Sequence, residues 1–304
     1  MKSVVMVGLT LSIFLFSCST QKEQEPPQQG KTMPVIYVSN YPLKYFSQRI
    51  GSPIVDIKFP TTVSPDPAYW QPTAEDVTAM QKADLIILNG ATFEKWLKNV
   101  TLPSSKVVET ASGFEDQFIP LQEIVTHSHG LEGEHEHGGT AFTTWLDMSL
   151  AVQHAKSVKE ALIARFPEHK GYFEDQFIQL KKDLRSLDAK LETVIKNDLT
   201  KPVFFSHPVY QYLEKRYAIN GKSVHWEAEE MPDTKMWADF ESLREHHPAQ
   251  WMIWESEPAT EILEKLEAIG VKSVVFNPCG NEPEDGDFLS VMEANVQRLK
   301  QIYQ

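Results

Sequence analysis

Cysteine is scarce in this chain, which contains 2 cysteines among 304 residues. A framework of several disulfides is therefore excluded, and the hydrophobic core must supply the stability of the fold. Net positive charge is also lacking, since 42 acidic residues outweigh 29 Lys and Arg to give −13. This balance argues against nucleic acid and anionic membrane surfaces as partners.

Familiar catalytic motifs are missing as well. The sequence contains no G-x-S-x-G, no H-E-x-x-H and no phosphate-binding P-loop. A hydrolytic metal site needs several fixed ligands and one open position, and we find no such set in the sequence. We therefore predict a binding protein and no enzyme.

Long apolar runs are confined to the N-terminus. Lys2 precedes the run VVMVGLTLSIFLF at 4–16, which is too short to span a membrane, and LFSC then ends at Cys18. This pattern predicts a bacterial lipoprotein signal peptide over 1–17, with a lipid on Cys18. Residues 18–33 are rich in Gln, Pro and Lys and predict a disordered tether. The protein is then extracytoplasmic and held to the membrane by this anchor alone.

Strand and helix patterns alternate from Pro34 onward, which predicts an α/β protein with parallel sheets. Predicted strands lie at 34–40, 53–59, 84–90, 202–207, 250–256 and 271–278. Predicted helices lie at 41–51, 72–83, 93–100, 147–165, 208–219, 237–247, 257–270 and 287–303. Thr73 is the expected N-cap of the second helix. His154 and His169 are interpreted as surface residues of helices.

One long helix is predicted between two α/β lobes. Apolar residues recur there at alternating steps of four and three, which places them on a single stripe. The stripe consists of Phe173, Phe177, Leu180, Leu184, Leu187, Leu191 and Val194. We expect an N-terminal lobe over 34–168, a linking helix over 169–198 and a C-terminal lobe over 199–304.

The segment THSHGLEGEHEHGG at 126–139 combines four histidines with three glutamates. Imidazole and carboxylate are ligands of zinc and of other divalent transition metals. We predict a flexible, glycine-rich loop that binds zinc exchangeably through His127, His129, His135 and His137. Its affinity should fall as the pH drops through about 6.5, where histidine becomes protonated. The alternative is a solvated loop without a role.

Five motifs occur in an order that is typical of one protein family. They are VSNYPLKYFSQRIG at 38–51, PDPAYWQPTAEDVTAMQKADLIILNGATFEKWL at 65–97, TTWLDMSLAVQHAKSVKEAL at 143–162, VFFSHPVYQYLEKRYAI at 203–219 and IGVKSVVFNPCGN at 269–281. With them the chain resembles the metal-binding solute-binding proteins of ABC transporters for zinc and manganese. The resemblance implies two α/β lobes joined by one rigid helix, a cation between the lobes and a transporter permease as partner.

The resemblance also implies four positions for cleft ligands. Here these positions carry Ala68 after Asp-Pro, Thr143 before Trp-Leu-Asp, His207 after a strand, and Asn277 after the last strand. Ala68 has no donor atom, and the two neutral oxygens suit hard cations only weakly. Only His207 is therefore expected to bind metal in the cleft.

Replacement ligands could restore the cleft site. Glu255 and Glu257 follow a strand, although acids at a helix N-terminus also have a simpler structural explanation. Cys279 could supply a soft thiolate or be an unreactive buried thiol. Trp70, Thr143 and Asn277 complete the candidate cleft lining. The acids among His225, Glu227, Glu229 and Glu230 are interpreted as a solvated face.

These patterns predict a lipid-anchored, monomeric zinc-binding protein of an ABC transporter, with the loop as the principal zinc site and His207 as a weaker one. The alternative is a divergent member of the same scaffold that binds a non-metal ligand or a protein partner. In that case the histidine loop only scavenges metal.

Overall fold

The computed structural model describes Met1 and residues 33–63, 66–121, 125–128, 134–137 and 139–304. The predicted signal peptide beyond Met1, Cys18 and the predicted tether up to residue 32 lie outside the described residues. Residues 33–304 form one compact unit. Within the described residues, no helix combines the length and apolar character needed to cross a membrane.

The N-terminal half is built on a four-stranded parallel sheet in the order β2-β1-β3-β4. Its strands are β1 (Val35–Val38), β2 (Asp56–Lys58), β3 (Leu85–Leu88) and β4 (Val107–Glu109). Its α-helices are α1 (Tyr41–Gly51) and α2 (Ala74–Lys82). All four residues of β3 are buried, as expected for a strand inside a parallel sheet.

Side-chain caps set where these helices begin. Thr73 caps α2 and forms a capping box with Asp76, which confirms the predicted start of that helix. Asn40 caps α1, and its side-chain oxygen accepts the backbone N–H of Leu43. The predicted helix at 93–100 is a 3₁₀-helix, Lys95–Asn99.

The histidine-rich segment contains two short strands where a flexible loop was expected. These are β5 (Val125–Ser128) and β6 (Glu134–His137), and they pair antiparallel. Their register places His127 opposite His135 and Val125 opposite His137. Because the intervening residues 129–133 lie outside the described part, His129 has no described position.

Two long helices follow, α3 (Met148–Arg165) and α4 (Lys170–Ile195). The predicted apolar stripe of α4 is buried except for Phe177, which is half-buried. Helix α4 packs against α1, α3 and α8 (Phe288–Tyr303), so its stripe belongs to the main hydrophobic core.

The C-terminal half repeats the architecture with a second parallel sheet in the order β10-β9-β7-β8. Its strands are β7 (Pro202–Phe205), β8 (Asn220–Ser223), β9 (Trp251–Trp254) and β10 (Lys272–Val275). Its remaining helices are α5 (Gln211–Tyr217), α6 (Thr234–His246) and α7 (Thr260–Ala268). The predicted fold class, two parallel-sheet lobes joined by one long helix, is confirmed.

His154 is a correction to the sequence interpretation, because α3 buries it completely instead of exposing it. Its ring nitrogens lie 2.7 Å from the hydroxyl oxygens of Thr110 and Thr144. Burial lowers the pKa of His154 to about 3, since the charged imidazolium is poorly solvated there. The folded protein therefore needs this histidine to be neutral.

We expect the free energy of unfolding to fall on acidification because of His154. The pKa of His154 is lower in the folded state than the value of about 6.5 in the unfolded state. The contribution of His154 to the free energy of unfolding is therefore complete above about pH 6.5 and is lost as the pH falls toward 3. The expected loss between pH 7 and pH 5 is about 2 kcal/mol. Urea unfolding in the presence of a chelator would measure it, with His154→Gln as control. An equal loss in the variant and the wild type would contradict this assignment.

Candidate metal centre

Three neighbouring strands of the C-terminal sheet end within one residue of a common row. Phe205 of β7 pairs with Ser223 of β8 and with Ile253 of β9, so these residues form one row across the sheet. Two residues further along the three strands come His207, His225 and Glu255. His207 and Glu255 lie in bends directly beyond their strands, and His225 lies in the irregular segment beyond β8.

This row lies at a topological switch point. The chain leaves β7 for β8 on one side, and β9 then joins β7 on its other side. Open parallel sheets bind ligands at the carboxyl ends of the strands that flank such a point. His207 and Glu255 follow the two flanking strands.

His207 is buried, with 6% of its surface exposed. Its Nδ1 atom lies 3.5 Å from a carboxylate oxygen of Glu227, and its ring centroid lies 5.7 Å from that of His225. His225 and Glu227 are half-buried. Two imidazoles and a carboxylate therefore meet beyond β7 and β8.

Glu255 adds a second carboxylate to this region. Burial first, and then the negative charges of Glu227, Asp66 and Glu229 in that order, together raise the pKa of Glu255 to about 8. Asp66 belongs to the N-terminal lobe, so acids of both lobes act on Glu255. Like charges at close range disfavour ionisation of one another, and a bound cation would relieve that repulsion.

The described side chains do not form a finished coordination shell. Among the residues that the structure describes, no group of three His, Cys, Asp or Glu side chains is placed to hold a metal ion as it stands. Binding a metal at this row therefore requires the carboxylates or imidazoles to move onto the ion.

At the strand ends of the N-terminal sheet, the polar side chains form hydrogen bonds with one another and with the backbone. Asn40 donates a side-chain hydrogen bond to Asn89, and the Glu94 carboxylate accepts the backbone N–H groups of Asn89 and Gly90. Burial raises the pKa of Glu94 to about 7. These groups bind one another, so of the two sets of strand ends the C-terminal one is the better source of metal ligands.

The three substituted family positions have structural roles. Ala68 is fully buried, and its N–H donates to the Asp66 side chain over 2.8 Å. The Thr143 hydroxyl donates to the carbonyl of Val209, across the two lobes. The Asn277 side chain accepts the backbone N–H of Cys279 over 2.6 Å.

The remaining candidate residues lie in places that are less suitable for binding a metal ion in the cleft. Trp70 is buried and packs edge-on against Trp96 in a small core cluster, which does not favour a position on the cleft surface. Cys279 is buried, and burial raises the pKa of its thiol to about 12, which disfavours the thiolate. Glu257 is exposed. The histidine-rich strands have a described backbone, but the placement of their side chains is not described.

Sequence reasoning missed the contribution of His225, Glu227 and Asp66. A usable signal was present, because His225 stands two residues after β8 in the same way that His207 stands two residues after β7. It was overlooked because the strand NGKS is polar and was not recognised.

A family model described as "ZnuA: Zinc-uptake complex component A periplasmic" matches residues 36–302. The zinc-binding lipoprotein AdcA of Streptococcus pneumoniae strain R6 is 25% identical over 317 residues, which cover 99% of this chain and 61% of AdcA. The high-affinity zinc uptake system protein ZnuA of Bacillus subtilis is 24% identical over 278 residues, covering 86% of this chain and 84% of that protein.

Solved structures share the fold. The metal-dependent lipoprotein YcdH of Bacillus subtilis superposes with a TM-score of 0.75 at 20% identity, over 89% of this chain and 99% of YcdH. The Zn(II)-bound ZnuA-like domain of Streptococcus pneumoniae AdcA superposes with a TM-score of 0.76 at 20% identity, over 90% of this chain and 99% of that domain. Since the family model spans nearly the whole compact unit, this chain belongs to the ZnuA family.

Proposed function

We propose that this chain is the extracytoplasmic solute-binding protein of a metal ABC transporter and that its cargo is zinc or another divalent transition metal. The observation that carries the proposal is the position of His207, beside His225 at the switch point of the C-terminal sheet. Imidazole nitrogens are ligands that zinc favours. Family membership and the zinc-binding relatives support the same assignment.

Two metal-binding regions are proposed, with different tasks. His207 belongs to the interlobe site that holds the cargo. His127, His129, His135 and His137 belong to the 126–139 segment, which gathers metal and exchanges it. The C-terminal row favours the interlobe region as the principal site, because the ends of a four-stranded sheet preorganise ligands at a smaller entropic cost than the two-stranded pair β5 and β6 does. This order reverses the ranking expected from the sequence.

The proposed partner is a transporter permease, to which a monomeric, lipid-anchored protein delivers the metal. Delivery needs only binding and release, so no catalytic residue is proposed. The charge of −13 is compatible with a protein whose cargo is a cation.

A second candidate function has a specific observation in its favour. Ala68, Thr143 and Asn277 occupy the positions of family ligands and serve packing or backbone hydrogen bonds instead. A divergent member that binds a non-metal ligand or a protein partner would be expected to show such substitutions.

Metal analysis of the purified, tag-free protein separates the two functions. We expect about one tightly held zinc per chain in the wild type and in a variant that lacks residues 126–139, because the principal site lies in the cleft. Elemental analysis after extensive dialysis measures this ratio. If the wild type holds no zinc even after incubation with zinc before dialysis, the second candidate function replaces the first.

The proposed lipid anchor on Cys18 leads to a separate prediction. Radiolabelled fatty acid fed to expressing bacteria should enter the wild-type protein and be absent from Cys18→Ser, because the thiol of Cys18 is the proposed attachment site. Gel autoradiography measures the incorporation, and Cys279→Ser serves as the matched control that should label normally. Equal labelling of Cys18→Ser and wild type would contradict a lipid anchor at this residue.

A further inference from the structure

We propose that Thr143 and Asn277, which occupy two of the usual ligand positions, are positioning residues that hold the two lobes together without a metal ion. The family resemblance implies a cation that contacts both lobes at once. In this chain, direct hydrogen bonds between the lobes take over that connection. The inference concerns the metal-free protein and goes beyond the proposed function.

Thr143 bonds one lobe directly to the other. Its hydroxyl donates to the backbone carbonyl of Val209, which lies two residues before α5 in the C-terminal lobe. Thr143 is buried, so this bond is shielded from water. A buried hydroxyl that loses its partner raises the free energy of the protein. Thr143 therefore favours the arrangement in which the two lobes touch at this point.

Asn277 stabilises a turn that follows β10. Its side-chain oxygen accepts the backbone N–H of Cys279 over 2.6 Å. Cys279 has a φ of 58°, in the left-handed region that residues other than glycine adopt at a cost in free energy. Asn side chains commonly stabilise turns by accepting the backbone N–H two residues on, and the bond to Cys279 has this form. Asn277 thus offsets part of the strain at Cys279.

Two side chains of the C-terminal lobe fix the backbone of this turn. Asn295 of α8 is fully buried, accepts the backbone N–H of Asn277 over 3.0 Å and donates to its carbonyl over 2.7 Å. The Tyr210 hydroxyl donates to the carbonyl of Phe276 over 2.7 Å. A backbone that is held in this way presents its next carbonyls in a defined direction.

The carbonyls of the turn accept hydrogen bonds from the N-terminal lobe. The indole N–H of Trp145 donates to the carbonyl of Pro278 over 2.8 Å, and the backbone N–H of Tyr41 donates to the carbonyl of Gly280 over 3.0 Å. Trp145 and Tyr41 are both buried. Leaving a buried donor without its acceptor is unfavourable, so both bonds oppose separation of the lobes. Asn277 acts on the contact between the lobes through these two bonds.

The interlobe bonds bear on how a cargo ion enters and leaves, a consequence that rests on the proposed function. Lobes that are bonded directly keep one arrangement with and without the ion. Binding beside His207 then depends on movement of side chains and not on closure of the lobes. This agrees with the described part of the chain, where no three ligating side chains are placed to hold an ion as they stand.

Hydrogen exchange of two tryptophan indoles tests the role of these residues. The full-length chain is purified in detergent, stripped of metal with a chelator and transferred to D₂O, and NMR follows the decay of the indole N–H signals. Trp145 donates across the lobes, whereas the buried Trp254 donates to Ser273 within the C-terminal lobe over 3.1 Å and is the internal reference. In the metal-free wild type, both indoles should exchange slowly, at rates within about tenfold of one another.

Two variants remove the proposed positioning groups. Thr143→Val and Asn277→Ala should each accelerate exchange of the Trp145 indole at least about fivefold, because the loss of one hydrogen bond changes an equilibrium by about that factor. The Trp254 indole should exchange at the wild-type rate in both variants. A general loss of stability would accelerate both indoles alike, so the difference between them identifies the contact between the lobes.

Matched controls remove the same chemical groups elsewhere. Thr193→Val and Asn220→Ala serve this purpose, since both residues are exposed. The Thr193 hydroxyl bonds within α4, and the Asn220 side chain bonds to Thr200 within the C-terminal lobe. Both controls should exchange like the wild type at Trp145 and Trp254.

The outcomes are separate from those of the proposed function. A Trp145 indole that exchanges freely in the metal-free wild type and slowly with zinc, or freely in both states, would overturn the inference. An unchanged rate in Thr143→Val or in Asn277→Ala would overturn the role of that residue. If a variant fails to fold, the wild-type comparison of Trp145 with Trp254 decides. A wild type that binds no zinc but protects Trp145 would overturn the proposed function and leave this inference standing.

Discussion

Replacement of His207 by alanine is expected to weaken the tight zinc site by at least about 100-fold. His207 is buried at the switch point, and the proposed function assigns its imidazole to the cargo ion. Loss of a direct ligand should cost at least as much as the 10–100-fold known for groups that orient a ligand. Competition with a chromogenic chelator at pH 7.5 measures the change, because a free imidazole, with a pKa of about 6.5, is mostly neutral at that pH.

Two further variants of the chain serve as controls for His207→Ala. His246→Ala removes an exposed histidine from the same lobe and should leave the affinity unchanged. Deletion of 126–139 should remove only weaker zinc equivalents. If the deletion abolishes tight binding while His207→Ala binds like wild type, the histidine-rich segment is the principal site, as its composition alone predicts.

Leu184→Ala in α4 is expected to lower the free energy of unfolding by about 3 kcal/mol, within the range of about 2–5 kcal/mol for Leu→Ala in a core. Leu184 has no exposed surface and belongs to the main core, where α4 packs against α1, α3 and α8. Truncation leaves a cavity that the surrounding helices fill only in part. Urea unfolding of the metal-free protein measures the loss.

Ile178→Ala is the matched control on the same helix. Ile178 is 58% exposed, so its truncation should change the free energy of unfolding by less than about 0.5 kcal/mol. Similar losses in both variants would contradict the assignment of the buried face. Zinc affinity at 25 °C should be unchanged in each, since neither residue lies at the site.

Much of the fold was predictable because its signals are local. The stripe from Phe173 to Val194 has helical periodicity, and α1 and α2 carry Asn40 and Thr73 as N-caps. The edge strands β4 and β8 were missed. Each is short, and neither has the apolar run that marks the inner strands.

The candidate site was less predictable because it depends on register between distant segments. His207 was found through a motif, whereas His225 gains its significance only when β8 pairs with β7. The effect of Asp66 on Glu255 depends on how the two lobes meet, which no local pattern contains. Trp70 was predicted to line the cleft, and its packing against Trp96 in a core cluster is a long-range contact that its motif does not reveal.

Location of the ion in a crystal tests the central claim most directly. Crystals of wild-type protein with one equivalent of zinc are measured on both sides of the zinc absorption edge. The anomalous signal is expected between the lobes, within about 2.0–2.1 Å of a ring nitrogen of His207. A signal among residues 126–139 alone, with none beside His207, would contradict a cleft that holds the metal.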